Sequence, residues 1–298
     1  MKSVNPLLAL AWLAVLLASL PKIVLQEAFR IPLSADLQAG MTLTLAVLCL
    51  ALTFVWRAVR PLRLFLGLMA VLTLTEWLVY ARLGRLPVYA VWLEHSSFSV
   101  SLLAQQSLRL MVTLVIIGIL FLVKKRASAF FLAKGELSAP VEPVRWLGAG
   151  PGERWNRFGR NFTFYISLGT LVFLVLAGRP ALETAVQAMV LLPAVLLAAA
   201  LNAFNEEMTY KASFLSVLEE PAGKQQALWL MAAFFGLGHY YGVPYGVIGV
   251  LMAGFLGWLL GKSMLETRGL FWAWFIHFWQ DVLIFSFMAM GSIRPGGS

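Results

Sequence analysis

The sequence predicts an all-α fold, a polytopic transmembrane helical bundle of about nine spans, with eight as the alternative count. Three observations carry this. Of the 298 residues 60% are hydrophobic and only 12% charged, with a mean hydropathy of +0.82, whereas a soluble domain is typically about 25% charged. Apolar runs of about 20 residues, the length that crosses hydrocarbon, recur along the chain. Basic residues are dense in alternate connections between those runs, as the positive-inside rule requires.

The runs justify the elements in order. The first half holds Leu7–Gln26, Ala39–Trp56, Leu64–Ala81 and Val100–Val123. The first of these follows Lys2 and could be read as a secretion signal. Pro21-Lys22 is a poor cleavage site, so a retained span is expected. The second half holds Phe162–Gly178, Ala185–Phe204, Gln226–Tyr241, Tyr245–Gly261 and Leu270–Met290. Gly242 and Pro244 leave a very short connection between the seventh and eighth. The domain division expected is a four-span membrane region (1–123), a basic loop (124–160) and a second membrane core (161–298). The loop, with Pro140, Pro143, Pro151 and several glycines, reads as having little regular structure, with a short interfacial helix at Ala129–Lys134. The sequence shows neither an internal repeat nor a low-complexity tract.

Charge sets the expected orientation. With the N-terminus in the cytoplasm, sixteen of the 23 lysines and arginines fall inside and six outside, and Arg109 lies within a span. Eight basics between Lys124 and Arg160 make that loop cytoplasmic, and Ser298 is then outside. The net charge of +9 is largely this bias. A basic surface beside anionic lipid accounts for it without nucleic acid, so the bilayer is the expected partner and nucleic acid is not. Cys49 is the single cysteine, which excludes an internal disulfide and a thiolate metal cluster. A bacterial inner membrane is the expected location.

Polar groups inside apolar runs are costly and need partners. In the first half, Glu76 and Arg109 are expected to pair between adjacent helices, with Gln105 and Gln106 bonding across the same interface. His95 belongs to an outer loop and reads as solvated.

Three clusters in the second half are less easily explained. Glu206-Glu207 is followed by Lys211, and helical spacing lets Glu207 pair with Lys211 while Glu206 faces a cavity unpaired. Such a carboxylate suits a base that takes a proton from water. Phe235 and His239 are one turn apart, so the aromatic ring walls the imidazole, and Gly236 and Gly238 permit close helix packing. His277 and Asp281 share one face of a helix otherwise made of Phe, Trp, Ile and Leu. They can donate to an oxyanion, and Asp281 can orient His277. Each cluster alone also fits an ordinary role, a charged helix end for the first and a hydrogen-bonded histidine for the second.

Read together as EEMTYK, FGLGH and HFWQD, in this order on successive helices, they resemble the CPBP family of intramembrane proteases, also called the CAAX prenyl protease type II or Abi family. That family shows Glu-Glu-x-x-x-Arg, then Phe-x-x-x-His, then His-x-x-x-Asn or Asp. Lys211 stands here where the family has arginine. The resemblance covers roughly Phe162–Met290 and implies that Glu206 and His239 activate a water. It implies that His277 and Asp281 stabilise the oxyanion, and that Glu207, Lys211 and Phe235 support the site structurally. The implied substrate is a membrane-anchored or membrane-associated peptide or protein; eukaryotic relatives process prenylated CAAX proteins, and a bacterial peptide-maturation or anchor-cleaving role fits equally. The spacing is not the His-Glu-x-x-His of ordinary zincins, so a metal-free site is expected. Zinc, if used, would have Glu206, His239, His277 and Asp281 as candidate ligands. Two other classes stay open from the residues, a non-catalytic scaffold carrying a degenerate motif and a proton-coupled carrier using Glu206, His239 and Asp281 as a relay.

Overall fold

The apolar runs fold as helices, and the computed structural model describes them over residues 5–293. Lys2, Arg294 and Ser298, which entered the charge argument, lie outside the described residues. In the first half, α1 (Pro6–Glu27) opens on Asn5, whose side chain accepts from the Leu7 amide, and α2 (Ala35–Val55) opens on Ser34, which accepts from the Leu37 amide. A third helix, α3 (Arg63–Glu76), runs on through a wide π turn at Trp77–Arg82. After a short α4 (Pro87–Glu94), α5 (Phe98–Lys124) completes the half. His95 caps α4 in an exposed position, its ring Nδ1 donating to the Val91 carbonyl.

The second half begins with α6 (Trp155–Gly178). A 41-residue helical stretch follows, Leu182–Ala222, made of α7 (Leu182–Ala188), α8 (Leu192–Glu206), a second π turn at Glu207–Ala212 and α9 (Ser213–Ala222). Then come α10 (Lys224–Gly238), α11 (Val247–Thr267) and α12 (Phe271–Ser292). Eight helical stretches among the described residues are long and apolar enough to cross a membrane. The chain is a multi-pass membrane protein.

The expected seventh span is the correction to the count of nine. Its helix, α10, has 15 residues, about 22 Å at 1.5 Å per residue, against a hydrocarbon core of about 30 Å. It runs beside α1. Trp12 near the start of α1 donates to Gln226 at 3.1 Å, and Tyr245 beyond α10 donates to Glu27 at the end of α1. The length that α10 lacks is supplied by a non-helical tip, 239–246, whose backbone is bonded within itself: Gly242 N donates to His239 O and Gly246 N to Tyr240 O. Irregular backbone at membrane depth is tolerated where it lines a cavity, and His239 and Tyr241 both do so here.

The 124–160 connection is more ordered than its composition suggests. A single 3-10 turn at Ala127–Phe130 replaces the expected interfacial helix, and two isolated bridges, Pro140 to Arg154 and Val144 to Ala149, fold the rest back on itself. Fully buried Trp155 donates to Glu266 at 2.8 Å, and the Glu136 amide donates to the Thr267 carbonyl at 2.7 Å. Gly135 and Gly269 touch backbone to backbone, with no room for a Cβ on either. Lys224 lies 3.4 Å from Glu142, and Arg268 forks onto Glu219 at 2.7 Å. The start of α10 and the ends of α9 and α11 therefore share one face of the bundle with this connection, called the loop face below.

The two halves share a core rather than standing apart. Phe65 of α3 meets Phe214 of α9 edge to face at 5.2 Å between ring centroids, and Leu10, Leu120 and Leu230 belong to the same buried cluster.

Candidate functional site

Glu206 ends α8, and the π turn that follows carries Glu207, Tyr210 and Lys211. A π turn holds an extra residue, and such turns often sit at working sites. Because this stretch continues to Ala222, Glu206 is interior to the bundle. Glu206 and His239 both line one cavity of about 730 Å³.

Glu207 and Lys211 form the pair that their spacing suggests. Nζ of Lys211 donates to Oε1 of Glu207 at 2.7 Å, and both side chains are fully buried. The ammonium also sits 3.5 Å above the centre of the Phe235 ring, a cation–π contact that gains strength away from water. Glu207 does more than pair with Lys211. The same oxygen takes Nδ1 of His277 at 2.6 Å, while its other oxygen, Oε2, is buried without a partner.

Glu206 is not free, which corrects the expectation of an unpaired carboxylate. Nη1 of Arg109, from α5, donates to its Oε1 at 2.8 Å and to Oδ1 of Asn202 at 2.8 Å. Asn202 in turn donates to Asp281 at 2.9 Å. The expected Glu76–Arg109 pair gives way for the same reason: α5 packs along α8, so the guanidinium reaches Glu206, and Glu76 instead accepts from Tyr210 at 2.5 Å. Gln106, which was expected to bond across the Glu76–Arg109 interface, instead accepts at its backbone carbonyl from Asn205, while Gln105 lines the cavity. Thr113, one turn beyond Arg109 on α5, bonds both Asn205 and Thr209. The first-half helix thus braces the first motif along its length.

His239 caps α10. Its ring lies 4.3 Å from that of Phe235, and its Nδ1 donates to the Phe235 carbonyl at 2.8 Å. That bond places the proton on Nδ1 and leaves Nε2 as the accepting nitrogen. Gly236 allows the close approach of α10 to α11: a Cβ there would stand 2.7 Å from the Val250 carbonyl oxygen. Gly238 faces open space and serves no such contact.

His277 and Asp281 sit where the structure departs most from expectation. Both are buried, and neither lines the cavity. Nε2 of His277 stands 3.7 Å from Oε2 of Glu206 and 3.6 Å from Oδ2 of Asp281, beyond hydrogen-bond reach of either. Asp281 therefore does not orient His277; Glu207 does. Behind them Gln280 donates to Ser167 and accepts from Thr170, fixing α12 against α6. The two residues back Glu206 from the protein side.

Arg109 and Tyr210 line the cavity beside Glu206, and neither was among the expected site residues. Arg109 was legible as a charge in a span, and Tyr210 lies one turn after Glu206. Much of the wall comes from the first half, including Lys22, Gln38, Thr42, Thr73 and Tyr80.

The four candidate metal ligands do not gather as a ligand set. Among the described residues no three His, Cys, Asp or Glu side chains form a group that could hold a metal ion. Arg109 and Asn202 already occupy oxygens of Glu206 and Asp281.

No curated protein and no solved structure matches the chain. Residues 188–283, the stretch that carries all three motifs, match the family model described as type II CAAX prenyl endopeptidase Rce1-like, which is consistent with the resemblance of those motifs to the CPBP/CAAX protease family.

Proposed function

We propose that the chain is an intramembrane endopeptidase that hydrolyses a membrane-anchored or membrane-associated peptide with water activated by Glu206 and His239. The observation that carries this reading is that Glu206 and His239 line one cavity, each with an acceptor that makes no hydrogen bond among the described residues: Oε2 of Glu206, and Nε2 of His239, left accepting by the bond at Nδ1. A water between them loses a proton to one and attacks the scissile carbonyl. The tetrahedral oxyanion then needs donors. Arg109 is suited: its Nη2 and Nε make no hydrogen bond among the described residues, and its side chain is 42% exposed in the cavity. The intermediate collapses as the C–N bond breaks, and the proton taken from water passes to the leaving amine.

In this reading His277 and Asp281 act from behind Glu206 rather than on the substrate, and Glu207, Lys211 and Phe235 hold that layer in place. No step is assigned to a metal, because no group of three His, Cys, Asp or Glu side chains among the described residues could hold one. A scaffold retaining only the shape of the motif is the rival reading, and the Lys211 substitution favours it. Against it, Lys211 keeps the ion pair to Glu207 and the contact with Phe235.

The test is Glu206→Gln, nearly isosteric and unable to take the proton. The expected result is a folded protein with cleavage reduced by about 10²–10⁴-fold. Complementation of a deletion by this variant as well as by the parent would leave the scaffold reading standing.

A further inference from the structure

The cavity lies toward one end of the bundle. Its walls come from the parts of the helices that lie away from the loop face: Ala18 to Ile23 at the end of α1, Ala35 to Thr42 at the start of α2, and Glu76 to Arg85 beyond the end of α3. On the same side lie the ion pair Arg82–Asp36 at 3.2 Å and the contact of Lys22 with the Tyr241 ring at 4.6 Å.

Toward the loop face the path is closed. Between Glu207 and the end of α9 lie Phe214, Leu215 and Leu218, all fully buried, and around them Leu62, Phe65 and Leu120 are equally inaccessible. Nothing in that layer lines the cavity. A packed interior of this kind leaves no voids larger than a water molecule, so a peptide chain cannot thread it.

The loop face also carries the dense positive charge. Eight lysines and arginines lie between Lys124 and Arg160, and Lys224, Lys262 and Arg268 stand at the same end of the bundle. Basic connections of this length stay on the cytoplasmic side.

We infer that the cavity is loaded from the extracytoplasmic side of the membrane, so that the substrate is a membrane-anchored peptide whose scissile bond is presented at the outer leaflet and not in the cytoplasm. The identity of the occupant as a substrate rests on the protease reading above; the direction of access does not. The consequence for substrate choice is specific. A lipid-modified cytoplasmic tail would meet the closed loop face, whereas an exported peptide still attached to the membrane would meet Lys22, Gln38 and Tyr241 at the mouth.

Cysteine labelling tests direction separately from chemistry. In a Cys49→Ala background, Gln38→Cys and, separately, Lys22→Cys report the cavity, and Arg145→Cys reports the loop face. Each is treated with a membrane-impermeant maleimide in spheroplasts and in inverted vesicles. Expected is labelling of Gln38→Cys and Lys22→Cys in spheroplasts, and of Arg145→Cys only in inverted vesicles. Cavity labelling only in inverted vesicles, labelling from neither side in protein that labels after detergent extraction, or labelling of Arg145→Cys in spheroplasts would each overturn the inference. Outward labelling together with full complementation of a deletion by Glu206→Gln would instead keep the direction of access and remove the protease reading.

Discussion

Arg109 and Glu206 stand 97 residues apart in the chain and 2.8 Å apart in the bundle. That contact ties the first-half helices to the motif segment and places a guanidinium beside the carboxylate assigned to water.

The contact predicts a particular kinetic signature. Arg109→Gln removes both the clamp on Glu206 and the free donors, so kcat should fall by about 10²–10³-fold, the usual cost of an oxyanion donor, with KM little changed. Arg109→Lys keeps the charge but not the bridge to Asn202, and should recover only part of the loss. Equal effects on KM and kcat from both variants, measured with a trapped substrate, would reduce Arg109 to a wall residue.

Lys211 gives the second prediction. Oε2 of Glu207 is buried without a partner, and an arginine fork offers a second N–H that a lysine lacks. Lys211→Arg should therefore preserve activity and raise the melting temperature in detergent. Lys211→Ala leaves a buried carboxylate facing His277 alone and should lower stability by about 3–5 kcal/mol, seen as lost folded yield. A normal yield and melting temperature for the alanine variant would remove the pair from the account of the site.

Two glycines two residues apart supply an internal control. A Cβ at position 236 meets the Val250 carbonyl oxygen at 2.7 Å and the Gly254 Cα at 3.0 Å, while one at position 238 meets nothing within 4 Å. Gly236→Ala should cost about 1–3 kcal/mol as α10 is pushed from α11. Gly238→Ala should leave the thermal midpoint close to that of the parent. Equal midpoints for the two would show that α10 and α11 are not in contact there.

His277 and Asp281 separate the backing role from direct chemistry. Asp281→Asn still offers an oxygen to the Asn202 amide, so cleavage should survive. His277→Ala removes the partner of Glu207 and opens space behind Glu206, and both stability and kcat should fall. A His277→Ala protein as stable as the parent, with only kcat reduced, would return this imidazole to the substrate side.

What was legible in the sequence was local. Glu207–Lys211 and Phe235–His239 are within one turn, so helical spacing alone brings them together. Spans were legible because apolar runs have a length that the bilayer sets. The missed features are of two kinds. Arg109 meeting Glu206 depends on which face of α5 packs on α8, and no periodicity in either run encodes that. The shortness of α10 was written in Gly236, Gly238, Gly242 and Pro244, but hydropathy counts such a segment as a span because Ala227 to Leu237 is an unbroken run without charge. The burial of His277 and Asp281 behind Glu206 follows from the rotation of α12, which an all-apolar helix does not reveal.

The wide turn at Glu207–Ala212 makes this stretch unusually sensitive to chain length. Removing one residue there would take out the extra residue and restore regular winding, so Phe214, Leu215 and Leu218 downstream would keep their present faces. Glu207 and Lys211, both inside the turn, would no longer stand across the spacing that now pairs them in the interior. Point changes around the carboxylates cost a contact, whereas a single-codon deletion costs the spacing of the whole motif. Among natural variants of this chain, substitutions should therefore accumulate between Glu207 and Ala212 where insertions and deletions do not.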